Sequence, residues 1–348
     1  IPAQFSQLLP APNIPENNPL TEAGVLLGRK LFYDPILSVD SSISCGSCHK
    51  ASLAFSDDVA LSNGVKNRAG TQNSPTLANV AYHPYYTREG GVPTLEMQVL
   101  VPIQEHNEFD FNIVEAAKRI ATDSIYIQMS YAAYERAPDY YVITRALANF
   151  ERSLLSGNSK FDKYHYQHQE TALNTEEKAG MALFFSERTQ CSTCHSDFNF
   201  TNYSFENNGL YKDYSAIGRM RLTGKEEDNA LFKIPTLRNI ERTAPYMHDG
   251  SMATLESVIA HYNSGGETHP NKSALIQPLH LSTTEQAQLL AFLKTLTDET
   301  FITEEKFLTS LANQLKIPYL DMQGVKISQE AIRKVQESVA RKHKVIPI

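Results

Sequence analysis

The sequence predicts a mostly α-helical protein made of two tandem units and a short tail, and three observations carry that reading. Apolar residues recur at helical spacing through much of the chain. A five-residue motif, C-x-x-C-H, occurs once in each half, as Cys45-Gly46-Ser47-Cys48-His49 and as Cys191-Ser192-Thr193-Cys194-His195. The phrase ahead of each motif is shared as well: Thr21-Glu22 then Gly28, Leu31 and Phe32 in the first half, Thr175-Glu176 then Gly180, Leu183 and Phe184 in the second. A repeated phrase of this kind marks a duplicated structural unit.

Taken in order, residues 1–19 are rich in Pro and Asn and read as an arm without regular structure. A helix begins at Thr21-Glu22, carries the stripe Leu26, Leu27, Leu31 and Phe32, and ends at Asp34-Pro35. Residues 51–94 lack helical periodicity and are dense in Gly, Asn, Ser and Pro, so a long functional loop is expected there. Helices are expected over 95–101, 113–134 and 140–155, and the polar run 164–170 is taken as the boundary between units. The division is therefore an arm at 1–19, units at 20–165 and 166–300, and a tail at 301–348. In the second unit, 196–245 reads as irregular, with helices over 255–262 and 284–296. Beyond about residue 300 the composition turns to Lys/Glu-rich amphipathic segments.

The C-x-x-C-H spacing carries specific chemistry. Two thiols one helical turn apart add across the vinyl groups of a haem, and the following His places its imidazole under the iron. Cys45, Cys48, Cys191 and Cys194 are all the cysteines of the chain, so two motifs consume every thiol. A four-thiolate zinc cluster is the competing reading of two C-x-x-C pairs. It leaves His49 and His195 unexplained, as does a redox-active disulfide. Two covalent c-type haems are expected.

Composition narrows the partners. The formal net charge is −7 and no basic run is present, which argues against nucleic acid. No apolar stretch reaches the roughly 18 residues of a membrane helix. The chain opens at Ile1 rather than Met, so removal or omission of a leader is expected. Covalent haem attachment in bacteria takes place outside the cytoplasm, which points to the periplasm. The chain contains no Trp, against 17 Tyr and 16 Phe.

Four segments resemble the bacterial di-haem cytochrome c peroxidases and their relative MauG. They are Leu27-Gly28-Arg29-Lys30-Leu31-Phe32-Tyr33-Asp34, Asn73-Ser74-Pro75-Thr76, Pro235-Thr236-Leu237-Arg238-Asn239 and Thr243-Ala244-Pro245-Tyr246-Met247-His248-Asp249-Gly250. The likeness spans about 20–300 and implies two cytochrome c-like domains with haems near their interface. It implies that the N-terminal haem is the peroxide site and that the C-terminal haem passes electrons to it.

The resemblance also assigns residues. A distal His that plugs the N-terminal iron in many of these peroxidases is matched here by Val65, which cannot bind iron, as in MauG. The acid–base Glu is matched by Glu108, with Gln104 placed beside it if that segment is helical, and His106 stands where a Pro is usual. For the C-terminal iron, the sixth-ligand position falls on Tyr262, again as in MauG, with His261, Met247 and Met252 as alternatives. A phenolate stabilises ferric and higher states, whereas a thioether raises the potential. Calcium between the domains is implied through Asn73, Thr243 and Pro245, oxygen donors that suit a hard cation; Asn73 as a plain turn cap is the competing reading. The Trp found between the haems is matched by Arg88, so the electron route runs through propionates, backbone or tyrosines such as Tyr85 and Tyr86.

The tail resembles something else. Residues 311–320 and 340–347 look like part of the N-terminal domain of type II secretion ATPases, without a phosphate-binding loop. The expected activity is reduction of hydrogen peroxide to water with electrons from a small cytochrome c or cupredoxin, without reductive activation. A second reading is a MauG-like enzyme that oxidises a protein or small molecule, and a third is a non-catalytic di-haem electron carrier. Homodimers are common among similar proteins, but no dimer surface is read from this sequence.

Overall fold

The computed structural model describes residues 9–304 and 307, and within them the chain is mostly helical. The first unit is built on α1 (Glu22–Tyr33), whose first turn is closed by the Thr21 hydroxyl accepting the Gly24 amide, 3.1 Å. The short turn α2 (Cys45–Cys48) follows, then α3 (Leu95–Gln98), α4 (Leu100–Gln104), α5 (Ile113–Ile120), α6 (Ser124–Tyr134) and α7 (Tyr140–Arg152). The second unit holds α8 (Lys160–His165), α9 (Thr175–Phe184), α10 (Cys191–Cys194), α11 (Met220–Thr223), α12 (Leu255–Ser264), α13 (Thr283–Lys294) and α14 (Glu299–Thr303). Its sheet is a two-residue antiparallel ladder, β1 (Phe205–Glu206) on β2 (Phe232–Lys233).

Two expectations shift and a third stands. The helix expected over 113–134 is two helices, because Asp123 accepts the amides of Ile125 and Tyr126 and starts α6 afresh. The helix expected over 95–101 is the pair α3 and α4, which ends at Gln104. The region 51–94 is irregular as expected, punctuated by single 3-10 turns at Ala51–Leu53, Val65–Asn67 and Val80–Tyr82.

The shared phrase of the two halves has a packing reason. A Cβ on Gly28 would lie 1.8 Å from the Ala146 carbonyl oxygen, and one on Gly180 would lie 1.8 Å from that of Gln288. Only glycine lets α1 cross α7, and α9 cross α13, at that closeness. Each crossing buries a triad of aromatic rings. Phe32 meets Phe150 at 4.9 Å and Phe55 at 5.9 Å; Phe184 meets Phe292 at 5.1 Å and Phe200 at 5.9 Å. These centroid separations and tilts are those of favourable aromatic pairs.

Two apolar cores result. One gathers residues between Leu27 and Leu154, the other residues between Phe161 and Leu296. Phe161 joins the second core ahead of the boundary expected at 165/166. Phe301, Ile302 and Phe307 return to the first, where Phe301 and Phe307 pack on Phe55. The rest of the tail, with both stretches that resemble a secretion ATPase, lies outside the described residues. A fully buried bidentate pair, Arg238 to Asp162 at 2.9 Å through both nitrogens, ties α8 to the loop before α12.

Gly28→Ala should lower stability by about 1–3 kcal/mol through forced separation of α1 and α7, and Gly180→Ala should do the same for α9 and α13. Denaturant midpoints measure both; an unchanged midpoint would show that the crossings have room to spare.

Candidate haem and peroxide site

Each C-x-x-C-H segment is one helical turn followed by a histidine that leaves it. In the first, Ser44 and Ser47 close the turn reciprocally, and the His49 amide still bonds the Cys45 carbonyl at 3.0 Å. In the second, the His195 amide bonds the Cys191 carbonyl at 2.9 Å. Each imidazole is then fixed by one further bond. His49 Nδ1 lies 2.8 Å from the Phe55 carbonyl oxygen, and His195 Nδ1 lies 3.0 Å from that of Phe200. A carbonyl only accepts, so Nδ1 carries the hydrogen in both rings and Nε2 keeps its lone pair. Burial pushes both imidazoles below their ordinary pKa, which keeps them neutral. This is the state in which an imidazole binds iron.

The thiols fit the same purpose. None is in a disulfide, and burial raises all four, Cys48 and Cys194 to about 11. No metal-binding group of three or more His, Cys, Asp or Glu occurs among the described residues, so the four thiols do not form the zinc cluster weighed above. In the second unit a mainly apolar cavity of about 250 Å³ is lined by Cys191, Cys194 and His195 together with Tyr262 and Met247. An apolar chamber with paired thiols and a bare imidazole nitrogen suits a covalently held haem.

The four sixth-ligand candidates separate here. Tyr262 is half-buried, desolvation raises its phenol, and its hydroxyl lies 3.4 Å from Asn208 Nδ2. The same amide nitrogen is 3.4 Å from Met247 Sδ. His261 is engaged elsewhere, its Nε2 3.0 Å from the Asn208 carbonyl oxygen, and Met252 packs against the second core. Asn208, which tethers three of the candidates, carried no signal in the sequence.

In the first unit Glu108 is the electrostatic centre. Burial, and then the charge of Glu105, push its carboxyl up to about 7. Its charge in turn raises both Cys45 and Cys48. The loop bearing Val65 lies directly on it: the Val65 amide donates to the Glu108 carbonyl at 2.9 Å, and Val65 is fully buried. Gly64 permits this, since a Cβ there would lie 2.0 Å from the Asn107 carbonyl oxygen.

The two residues grouped with Glu108 by sequence stand differently. Gln104 is the last residue of α4, exposed, its amide on the Leu100 carbonyl at 3.3 Å. The helix that would put it on one face with residue 108 ends there. His106 is 68% exposed and is held by Arg68, at 2.6 Å through Nε2, and by Asp110, at 3.2 Å. Arg68 and Asp110 are themselves paired at 2.7 Å.

A second cavity of about 170 Å³ lies on the seam between the units, bordered by Asn73, Arg88, Lys233, Thr243 and Pro245, and by Gln98, His83 and Glu151. Gln98 Oε1 and His83 Nε2 are buried there without a hydrogen-bond partner. Burial lifts the Glu151 carboxyl to about 8 and lowers Lys233 to about 8. The calcium expected here meets an obstacle. Arg88 Nη2 donates to the Asn73 carbonyl oxygen at 2.7 Å and stands 3.3 Å from Asn73 Oδ1. A guanidinium thus already faces the oxygens that would bind the metal, and the residues present do not fit a calcium ion.

Two His-bearing turns with paired thiols, each in its own helical unit, define a di-haem c-type protein. Comparison with known proteins places it further. A family model described as di-haem cytochrome c peroxidase matches residues 22–171. MauG of Methylorubrum extorquens is 35% identical over 82% of this chain and 81% of its own. Cytochrome c551 peroxidase of Nitrosomonas europaea is also 35% identical, over 82% of each. The crystal structure of a MauG-like protein associated with microbial copper homeostasis superposes with a TM-score of 0.82 at 34% identity, covering 86% of this chain and 97% of that one. The chain belongs to the di-haem cytochrome c peroxidase family, which includes MauG, and that membership implies two c-type haems.

Because the charge of Glu105 opposes ionisation of Glu108, Glu105→Gln should move the titration of Glu108 to lower pH. Difference infrared spectroscopy of the carboxyl band against pH measures it; an unmoved midpoint would mean that burial alone sets the value.

Proposed function

We propose that this protein is a periplasmic oxidoreductase that reduces hydrogen peroxide to water at the haem held by Cys45, Cys48 and His49. The electrons come from a small redox protein, a cytochrome c or a cupredoxin, through the haem held by Cys191, Cys194 and His195. The observation that carries this reading is the half-buried Glu108, its carboxyl pushed up to about 7, with the Val65 amide bonded to its carbonyl. When bound, the N-terminal haem supplies the iron that polarises peroxide. Glu108 would take the proton from the inner peroxide oxygen and return it to the outer one, which leaves as water as the O–O bond breaks; two electrons from the donor protein and two protons from solvent convert the other oxygen into a second water. A carboxyl that titrates near 7 is matched to both transfers at neutral pH. Val65 offers no ligand atom, so the loop leaves the peroxide position open in the oxidised protein. The periplasmic assignment rests on covalent haem attachment; no helix among the described residues is long and apolar enough to cross a membrane.

A second reading, a MauG-like enzyme oxidising a protein or small molecule, draws support from Tyr262. It lines the cavity of His195, and a phenolate there would favour the oxidised states of that haem. Relatives of equal identity carry both names, peroxidase and MauG. A di-haem carrier would need both irons six-coordinate, which a ferric spectrum reads directly.

Mixing the fully oxidised protein with one equivalent of peroxide tests the proposal. One high-spin haem and an immediate spectral change are expected; two low-spin haems that stay silent until a reductant is added would sink it. Glu108→Gln should keep both haem spectra and slow donor-dependent turnover ~10²-fold or more. The ionised carboxylate accepts the first proton, so parental turnover should rise as pH rises through about 7. That inflection should vanish in Glu108→Gln.

Tyr262→Phe removes the phenol oxygen from the second cavity. The low-spin signal and the potential of that haem should change, and indifference of both would transfer the ligand role to Met247.

A further inference from the structure

The seam cavity carries its own positive charge. Arg88 belongs to the first unit, and its guanidinium reaches Asn73, donating to the carbonyl oxygen at 2.7 Å and approaching Oδ1 at 3.3 Å. Asn73 is also the knot between the units: its amide donates to the His248 carbonyl at 2.9 Å, and its Nδ2 holds the Val59 and Ala60 carbonyls at 3.3 and 3.2 Å. The Arg88 carbonyl accepts the Lys233 amide from the second unit at 2.7 Å. Burial lowers the Arg88 guanidinium to about 10, and two acidic residues, Glu89 from the first unit and Asp249 from the second, partly offset that, so it stays charged at neutral pH. Lys233 brings a second cationic group, an ammonium, to the same wall, bonded to the Tyr85 carbonyl at 3.0 Å.

We propose that Arg88 is the resident cation of this seam: its guanidinium takes the place a divalent ion would hold between the two units, and the seam binds no calcium. A calcium ion needs six to eight oxygens free to converge on it, whereas the Asn73 oxygens here are turned to a hydrogen-bond donor. Arg88 Nε, buried without a partner among protein atoms, is a further donor on that wall, and a metal ion offers nothing to accept it. The guanidinium carries a single, delocalised charge that is retained at neutral pH, so the seam would be held without a metal ion. The trade also explains a Trp-free seam: the side chain at position 88 serves charge, and the aromatic contacts there fall to Tyr85 on Phe205, stacked at 5.3 Å, and to His83 on Tyr203 at 5.2 Å.

The test reads metal content and stability of the holoprotein, so it stands or falls apart from peroxide turnover. Parental protein equilibrated with calcium chloride and desalted should carry only substoichiometric calcium by elemental analysis, and a chelator should leave its melting temperature unchanged. Arg88→Ala should melt lower in chelator. It should also gain a calcium site with a Kd of about 10⁻⁴–10⁻³ M, as in extracellular calcium modules, and calcium should raise its melting temperature. Arg88→Lys, which keeps the charge, should take up no calcium and keeps the test available should the alanine variant not fold. Stoichiometric calcium in the parent, or a chelator-sensitive parent, overturns the proposal. So does an Arg88→Ala protein that melts like the parent in chelator or gains nothing from calcium, or an Arg88→Lys protein that binds it.

Discussion

The bond from a histidine Nδ1 to a backbone carbonyl is the constraint around which both halves are built. The carbonyl belongs to Phe55 in one half and Phe200 in the other, and each of these phenylalanines is wedged into the aromatic triad beneath its helix crossing. Packing therefore fixes the carbonyl, the carbonyl fixes the ring, and the ring presents a bare Nε2. A ring oriented in this way cannot drift when an iron is oxidised or reduced, because its second nitrogen is spent on the scaffold.

The scaffold is duplicated more deeply than the cysteine motifs reveal. Pro75-Thr76-Leu77-x-Asn79 recurs as Pro235-Thr236-Leu237-x-Asn239, and the matched residues do matched work. Thr76 and Thr236 hold the Ala54 and Asn199 carbonyls, and Asn79 and Asn239 both turn left-handed, at φ 58° and 59°. Both asparagine amides then dock on the segment after a long helix, at Leu154 and Leu296. Farther on, the Tyr86–Val92 and Tyr246–Met252 turns close with bonds of 2.7 Å. In this register Arg88 matches His248 and Pro102 matches Tyr262, so the two halves differ where their chemistry must differ.

The electrostatics follow from the same geometry. Glu108 sits on a turn that the Gly64–Val65 backbone meets, the Val65 amide bonding the Glu108 carbonyl at 2.9 Å, and burial raises its carboxyl. At the seam the half-buried cations Arg88 and Lys233 line the cavity with Glu151, whose carboxyl burial lifts to about 8.

The haem attachment residues were legible in the sequence because their chemistry is local: two thiols one turn apart and a histidine next to them need no tertiary partner to be recognised. The duplication was legible too, since Gly28 and Gly180 stand at one place in a repeated phrase, but that both glycines sit at helix crossings is seen only in the fold. What the linear sequence left open was settled by packing at a distance. Gln104 and Gln98 look alike in the sequence, yet α4 ends at the first, while the second is turned toward the seam cavity. Tyr262 led the sixth-ligand candidates, with Met247, His261 and Met252 as alternatives, and only the fold shows Asn208 occupying His261 with its backbone and standing between Tyr262 and Met247. Asn73 read as a calcium ligand by likeness. Only the fold shows that Arg88 has already claimed its oxygens, because which charge reaches a buried carbonyl depends on neighbours that spacing along the chain does not encode.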